Sequence, residues 1–263
     1  MKIEAAIFDF DGCILNTTLP ASHEYAGVFA HSAARTVATL ACASKFDIPE
    51  LRSFDPQAAY LAHVNAPVSD QLHTIWQQFV DAGIEPPNSN PDPNDERVQY
   101  INELKDQTYI DYLKSDLAPQ PYVFEFMRYL VDKRGLKGKL AIGSMARRKE
   151  LEAFYGRFEV IAKYIPMGRV VCRDDVDRGK PEPDIFESAL ATIDPSIDSA
   201  SVHTYEDDTR GVEAAHRAGQ VPIMVGTVKS PRDVVRDIAE HGSLRRPAVY
   251  AVNWLDMIML YAK

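Results

Sequence analysis

The chain has 263 residues, 46% of them hydrophobic, which suits one large domain or two smaller ones with a proper core. A net charge of −9 argues against a nucleic-acid or anionic-membrane partner, while leaving room for a locally positive pocket. Cys13, Cys42 and Cys172 make no CxxC pair, zinc spacing or even disulfide set, and no apolar run is long enough to cross a bilayer. No basic stretch followed by an apolar one precedes the first strand, so the composition reads as a soluble protein of a reducing compartment, the cytoplasm.

The first apolar run, Ile3 to Phe8, predicts a buried strand that ends in Asp9-Phe10-Asp11-Gly12. Side chains at i and i+2 of a strand share a side, so Asp9 and Asp11 crowd two anions together. A cation between them relieves the repulsion, and Mg²⁺ is the natural choice for oxygen ligands. Gly12 lets backbone amides approach an anion closely. An isolated Asp-x-Asp-Gly is nevertheless more often a solvated turn, and the rest of the chain has to decide.

Helical signals follow. Ser22 to Ala43, Pro56 to Val64 and Val68 to Ala82 are predicted helices, the last with Leu72, Ile75, Trp76, Phe79 and Val80 as its apolar stripe. The proline-rich stretch 85–93 breaks regular structure, and Asn94 or Asp95 caps a helix running to about Leu113. Beyond Pro119-Gln120-Pro121 the pattern alternates. Strands are predicted at 139–142, 169–172, 202–205, 221–225 and 248–252, and helices at 122–133, 147–155, 181–192, 208–218 and 230–240, with a C-terminal helix last. Alternation of this kind implies an α/β fold, a Rossmann-like parallel-sheet core. The division it predicts is a core of residues 1–16 and 118–263 with an inserted helical cap domain at 17–117.

The carboxyl ends of strands in such a sheet gather the ligand site. Ser144 ends the strand Leu140-Ala141-Ile142-Gly143, where its hydroxyl and the amides of Met145 and Ala146 suit a phosphoryl oxygen, or else cap a helix. Lys180, between Gly179 and Pro181, is a point charge for phosphate or carboxylate unless it is an ordinary solvated lysine. Glu206, Asp207 and Asp208 follow an apolar strand; a helix N-terminus accounts for Asp208 and less well for the other two.

Jointly, these stretches resemble the haloacid dehalogenase (HAD) superfamily of hydrolases, in the subfamily whose helical cap is inserted after the first motif, as in phosphoglycolate phosphatases and β-phosphoglucomutase. The matching motifs are Asp9-Phe10-Asp11-Gly12, Ser144, Gly179 to Phe186 (G-K-P-x-P-x-x-F) and Glu206 to Gly219. The resemblance implies an enzyme, a Mg²⁺-dependent phosphatase acting on a small phosphorylated metabolite such as a sugar phosphate or phosphoglycolate. It makes Asp9 the nucleophile that becomes an aspartyl phosphate and Asp11 the general acid and base. Ser144 and Lys180 hold the phosphoryl group, with Gly12 and Met145 at the phosphate, and Asp9, Asp11, Glu206 and Asp207 bind Mg²⁺.

Two departures from the pattern stand out: Asp208 in the usual serine position, and Asn16 where many members carry an acid. The alternatives are a phosphosugar mutase of the β-phosphoglucomutase type and a non-catalytic binding module on the same fold. For the mutase, the cap loop that grips the far end of a sugar phosphate has no counterpart in the sequence. Arg35, Arg52 and His63 read rather as helix-face or packed residues.

Overall fold

A computed structural model describes residues 3–53, 71–86, 89–226, 230–240 and 245–262. The predicted helix at 56–64, the start of the one at 68–82 and His63 lie outside these residues. The chain forms two compact units, Met1–Asn16 with Ala118–Lys263, and Thr17–Leu117.

The first unit is built on a parallel sheet ordered β5-β4-β1-β6-β7-β8, in which β1 is Ala5–Phe8, β4 Leu140–Gly143, β5 Val170–Val171, β6 Val202–Glu206, β7 Val221–Val225 and β8 Val249–Ala251. All four residues of β1 are buried, as a central strand covered on both faces requires. On one face Ala5 and Ile7 pack with Ala141, Val202, Ile185 and Phe186. On the other, Phe8 stacks on Tyr205 at 4.8 Å between centroids and meets Trp254 at 5.7 Å. A short antiparallel pair, β2 (Leu15–Asn16) with β3 (Ala118–Pro119), lies where the first unit's two segments end.

The α/β prediction is met, with local shifts in where helices start. The helix predicted at 181–192 begins later, at Asp184, and runs to Ile193 (α6). The residues before it form a turn closed by the Glu182 N–H on the Gly179 carbonyl, and Pro181 and Pro183 have no N–H to offer a helix.

In the second unit, α1 (Ala30–Lys45) also starts later than the predicted Ser22. A turn from Pro20 to His23, Gly27 at φ +77° and the bridge Thr18–Phe29 occupy the earlier residues. The other helices here are α2 (Gln71–Asp81) and α3 (Glu96–Ser115), capped by Asp95. Ala38, Cys42, Ile75, Trp76, Phe79, Val98 and Ile101 form its core. The Trp76 indole donates to Ser89 at 2.8 Å, so part of the proline-rich stretch is tied to α2.

Candidate active site

Two strand ends at the sheet's switch point, those of β1 and β6, supply the carboxylates. Asp9 leaves β1 with its N–H donated to the Tyr205 carbonyl at 2.9 Å, so β1 and β6 end in register. Lys180 reaches in from the turn ahead of α6. Its Nζ lies 2.5 Å from Asp9 Oδ1 and 2.6 Å from Glu206 Oε1, with its side chain 8% exposed. The ammonium also sits 4.8 Å from the Phe186 ring centroid. Carboxylate oxygens of Asp9, Glu206 and Asp207 lie within 4.8 Å of one another.

Burial dominates the electrostatics. It raises the pKa of Asp9, an effect that Lys180 partly offsets. Burial pushes Glu206 up to about 8 against the pull of Lys180. Asp207 is raised well above the carboxylate range, first by burial and then by the charges of Asp9 and Glu206. Burial opposes the charge of Lys180, yet the two carboxylates on it hold its pKa above the ordinary lysine value. Ionised together, three carboxylates against one ammonium would leave an excess of buried negative charge, which a divalent cation with oxygen ligands would neutralise. The donor set fits Mg²⁺.

The remaining predicted residues are placed as follows. Ser144 is buried next to the end of β4; its N–H donates to the Val171 carbonyl at 3.0 Å, and its hydroxyl oxygen accepts from the Ala146 N–H at 3.1 Å. The Ala146 amide is therefore engaged by Ser144, and the following helix, α5 (Arg148–Arg157), starts only after Arg147. Met145 packs its thioether end on Gly179, where any Cβ would overlap it, which joins the serine and lysine motifs. Asp11 is half-buried on the loop beyond β1. Gly12 has φ +76°, and its N–H donates to the Leu15 carbonyl at 3.0 Å, so its contribution is the turn rather than a spare amide. Asp208 caps α7 (Thr209–Arg217), accepting from the Arg210 N–H at 2.7 Å.

Sequence reasoning placed Gly211 in a motif without giving it a role, and passed over two supporting side chains. Gly211 lies against the Glu206 carboxylate with no room for a Cβ, so glycine at that helix position is what lets Glu206 lie there. Gln120 and Trp254 donate side-chain hydrogen bonds to the loop after Asp11, and no motif marks either.

Residues 6–225 match the family model described as haloacid dehalogenase-like hydrolase. The chain belongs to that family. It is a phosphoryl-transfer enzyme. It is 29% identical over 251 residues to a β-phosphoglucomutase of Mycobacterium bovis, covering 93% of this chain and 87% of that one. Among solved structures, a HAD hydrolase of family IA, variant 3, from Entamoeba histolytica matches with TM-score 0.70 and 16% identity over 99% of this chain and 100% of that one. CbbY of Rhodobacter sphaeroides, in complex with xylulose-1,5-bisphosphate, matches with TM-score 0.62 and 16% identity over 96% and 95%. At these identities the structures speak for the fold. Among the described residues, no helix is long and apolar enough to cross a membrane.

Proposed function

We propose that the protein is a Mg²⁺-dependent phosphatase of a small phosphorylated metabolite, working through an aspartyl phosphate on Asp9. The observation that carries this reading is the Asp9–Lys180–Glu206 chain of contacts beside Asp207, a nucleophile held by a cation within a metal-ready cluster. Asp9 forms the bond to phosphorus as the ester oxygen departs, and Asp11 gives that oxygen its proton. Asp11 then takes a proton from the water that cleaves the aspartyl phosphate. Lys180 fixes Asp9 and, with the Ser144 hydroxyl, offsets charge on the transferring group. Asp9, Asp207 and Glu206, with the neighbouring Asp11, would hold the ion. Mg²⁺ supplies the positive charge that lets two anions meet. Residues 17–117 act as the cap and carry substrate choice.

The similarity to a protein named β-phosphoglucomutase favours one second reading, phosphoryl transfer within a sugar phosphate. Phosphate release from a panel of phosphorylated metabolites, with Mg²⁺ or EDTA and with Asp9→Asn, separates the two. A phosphatase releases phosphate only with Mg²⁺ and only from the unsubstituted enzyme. Isomerisation of a hexose phosphate without net release establishes the mutase instead. Release that survives Asp9→Asn removes Asp9 as the nucleophile.

A further inference from the structure

The loop that carries Asp11 is held by two side chains from distant parts of the chain. Within it, the Phe10 carbonyl accepts from the N–H groups of Ile14 and Leu15, both at 2.9 Å. The carbonyls of Gly12 and Cys13 are bound from outside. Gln120 Nε2 donates to the Gly12 oxygen at 3.0 Å, and the Trp254 indole N–H donates to the Cys13 oxygen at 2.9 Å.

Both donors are themselves fixed. The Gln120 backbone N–H donates to the Ile14 carbonyl at 2.7 Å, directly after β3. Trp254 is fully buried at the start of the C-terminal helix, α9 (Trp254–Tyr261), with its ring 5.1 Å from Phe126 and 5.6 Å from Tyr205 between centroids. The Cys13 thiol adds a third tie, donating to the Tyr205 carbonyl at 3.4 Å. That carbonyl also accepts the Asp9 N–H, so one peptide oxygen of β6 registers both ends of the loop.

The geometry points to Gln120 and Trp254 as positioning residues that hold the peptides after Asp11, and so aim its carboxyl at the leaving oxygen. Buried peptide oxygens with neutral side-chain donors have few other partners, so the two bonds select one orientation for two successive peptide planes. A general acid needs hydrogen-bond reach to the proton acceptor, and a turned peptide plane takes it out of reach. This inference rests on the proposed role of Asp11 in phosphoryl transfer. In that step the Asp9–phosphorus bond forms, the phosphorus–oxygen ester bond breaks, and the Asp11 proton moves to the departing oxygen.

The test compares two esters. An alkyl phosphate leaves as an alkoxide that needs the proton, whereas p-nitrophenyl phosphate leaves as a stable phenolate. The kcat/KM value reports the steps through departure of that group, before water enters. Gln120→Met and Trp254→Phe keep bulk and remove the donors. Each is expected to lower kcat/KM for the alkyl ester about tenfold while p-nitrophenyl phosphate changes less than about threefold, as for partial loss of a general acid. Asp11→Asn should show the same selectivity at larger amplitude. Equal losses on both esters, or none, would overturn the inference. So would unfolding of both variants at the assay temperature, which would give the two side chains a scaffold role alone. The alkyl ester is the best alkyl phosphate of the metabolite panel, so wild-type protein that cleaves neither ester overturns the phosphatase reading itself, and is told apart from the other outcomes by needing no variant.

Discussion

The two units handle buried charge in opposite ways. In the α/β unit, Asp9, Glu206 and Asp207 are buried together at strand ends with one ammonium between them, a surplus of negative charge. Among the described residues of the helical unit, the buried charges lie along helices: Arg35 on α1, and Lys105 with Asp106 on α3, the last two 3.3 Å apart. Carboxylates crowded without enough counter-charge cost stability unless a ligand relieves them, and such cost persists where function requires it. Among the described residues, no comparable group of carboxylates gathers along these helices. The contrast teaches where to look for chemistry: the crowded carboxylates rather than the dispersed charges.

Lys180→Met should widen the difference most. It leaves Asp9 and Glu206 without their shared cation, and kcat is expected to fall about 10³-fold. Folding stability at neutral pH should drop by about 3 kcal/mol, measured by urea unfolding. Retained activity would break the comparison, since the ammonium would then matter no more than a helix-face charge.

Mg²⁺ should stabilise the wild-type protein by about 2.7 kcal/mol at a hundredfold excess over Kd, read as a rise in the thermal midpoint. Asp207→Asn is expected to abolish that rise, and to raise the metal-free midpoint because one crowded carboxylate is gone. A midpoint insensitive to Mg²⁺ would remove the cluster's claim to a metal.

His203 sharpens the comparison within the α/β unit, away from the carboxylates. Burial depresses its pKa to about 4, so the folded state keeps it neutral while the unfolded chain protonates near 6.5. The unfolded state binds more protons in that window. Its contribution is therefore complete above pH 6.5 and lost as pH falls toward 4. His203→Gln should flatten this part of the stability–pH curve.

In the helical unit, Arg97 binds Asp95 and, at 2.6 Å, Glu85, joining α3 to the segment after α2. Arg97→Met should cost about 1 kcal/mol in stability and leave p-nitrophenyl phosphate turnover within about twofold. The smallest effect is expected for Asp208→Ser, within about 0.5 kcal/mol, because serine caps a helix as well as aspartate does.

Much of this was legible along the chain. The alternation of apolar strands with helices determined the parallel α/β class, because period and punctuation are local. Asp9, Lys180, Glu206 and Asp207 were weak signals singly and stood out jointly, through the resemblance of their motifs, in order and spacing, to the haloacid dehalogenase superfamily. Helix starts were less legible: Ser22 and Pro181 look like good beginnings, but turns closed by neighbouring backbone groups took those residues. Gly12 and Ala146 offer amides on paper that the folded backbone has already used.

Only the tertiary structure decided that Glu206 lies on Gly211 and that Lys180 bridges two carboxylates. It alone brought Gln120 and Trp254 to the loop after Asp11, across 108 and 241 residues. The sequence by itself determined which residues could do chemistry and on which strands they ride. A glutamine or tryptophan that satisfies a distant carbonyl has no periodicity or spacing to announce it, since its partner is set by packing and not by the chain's local geometry.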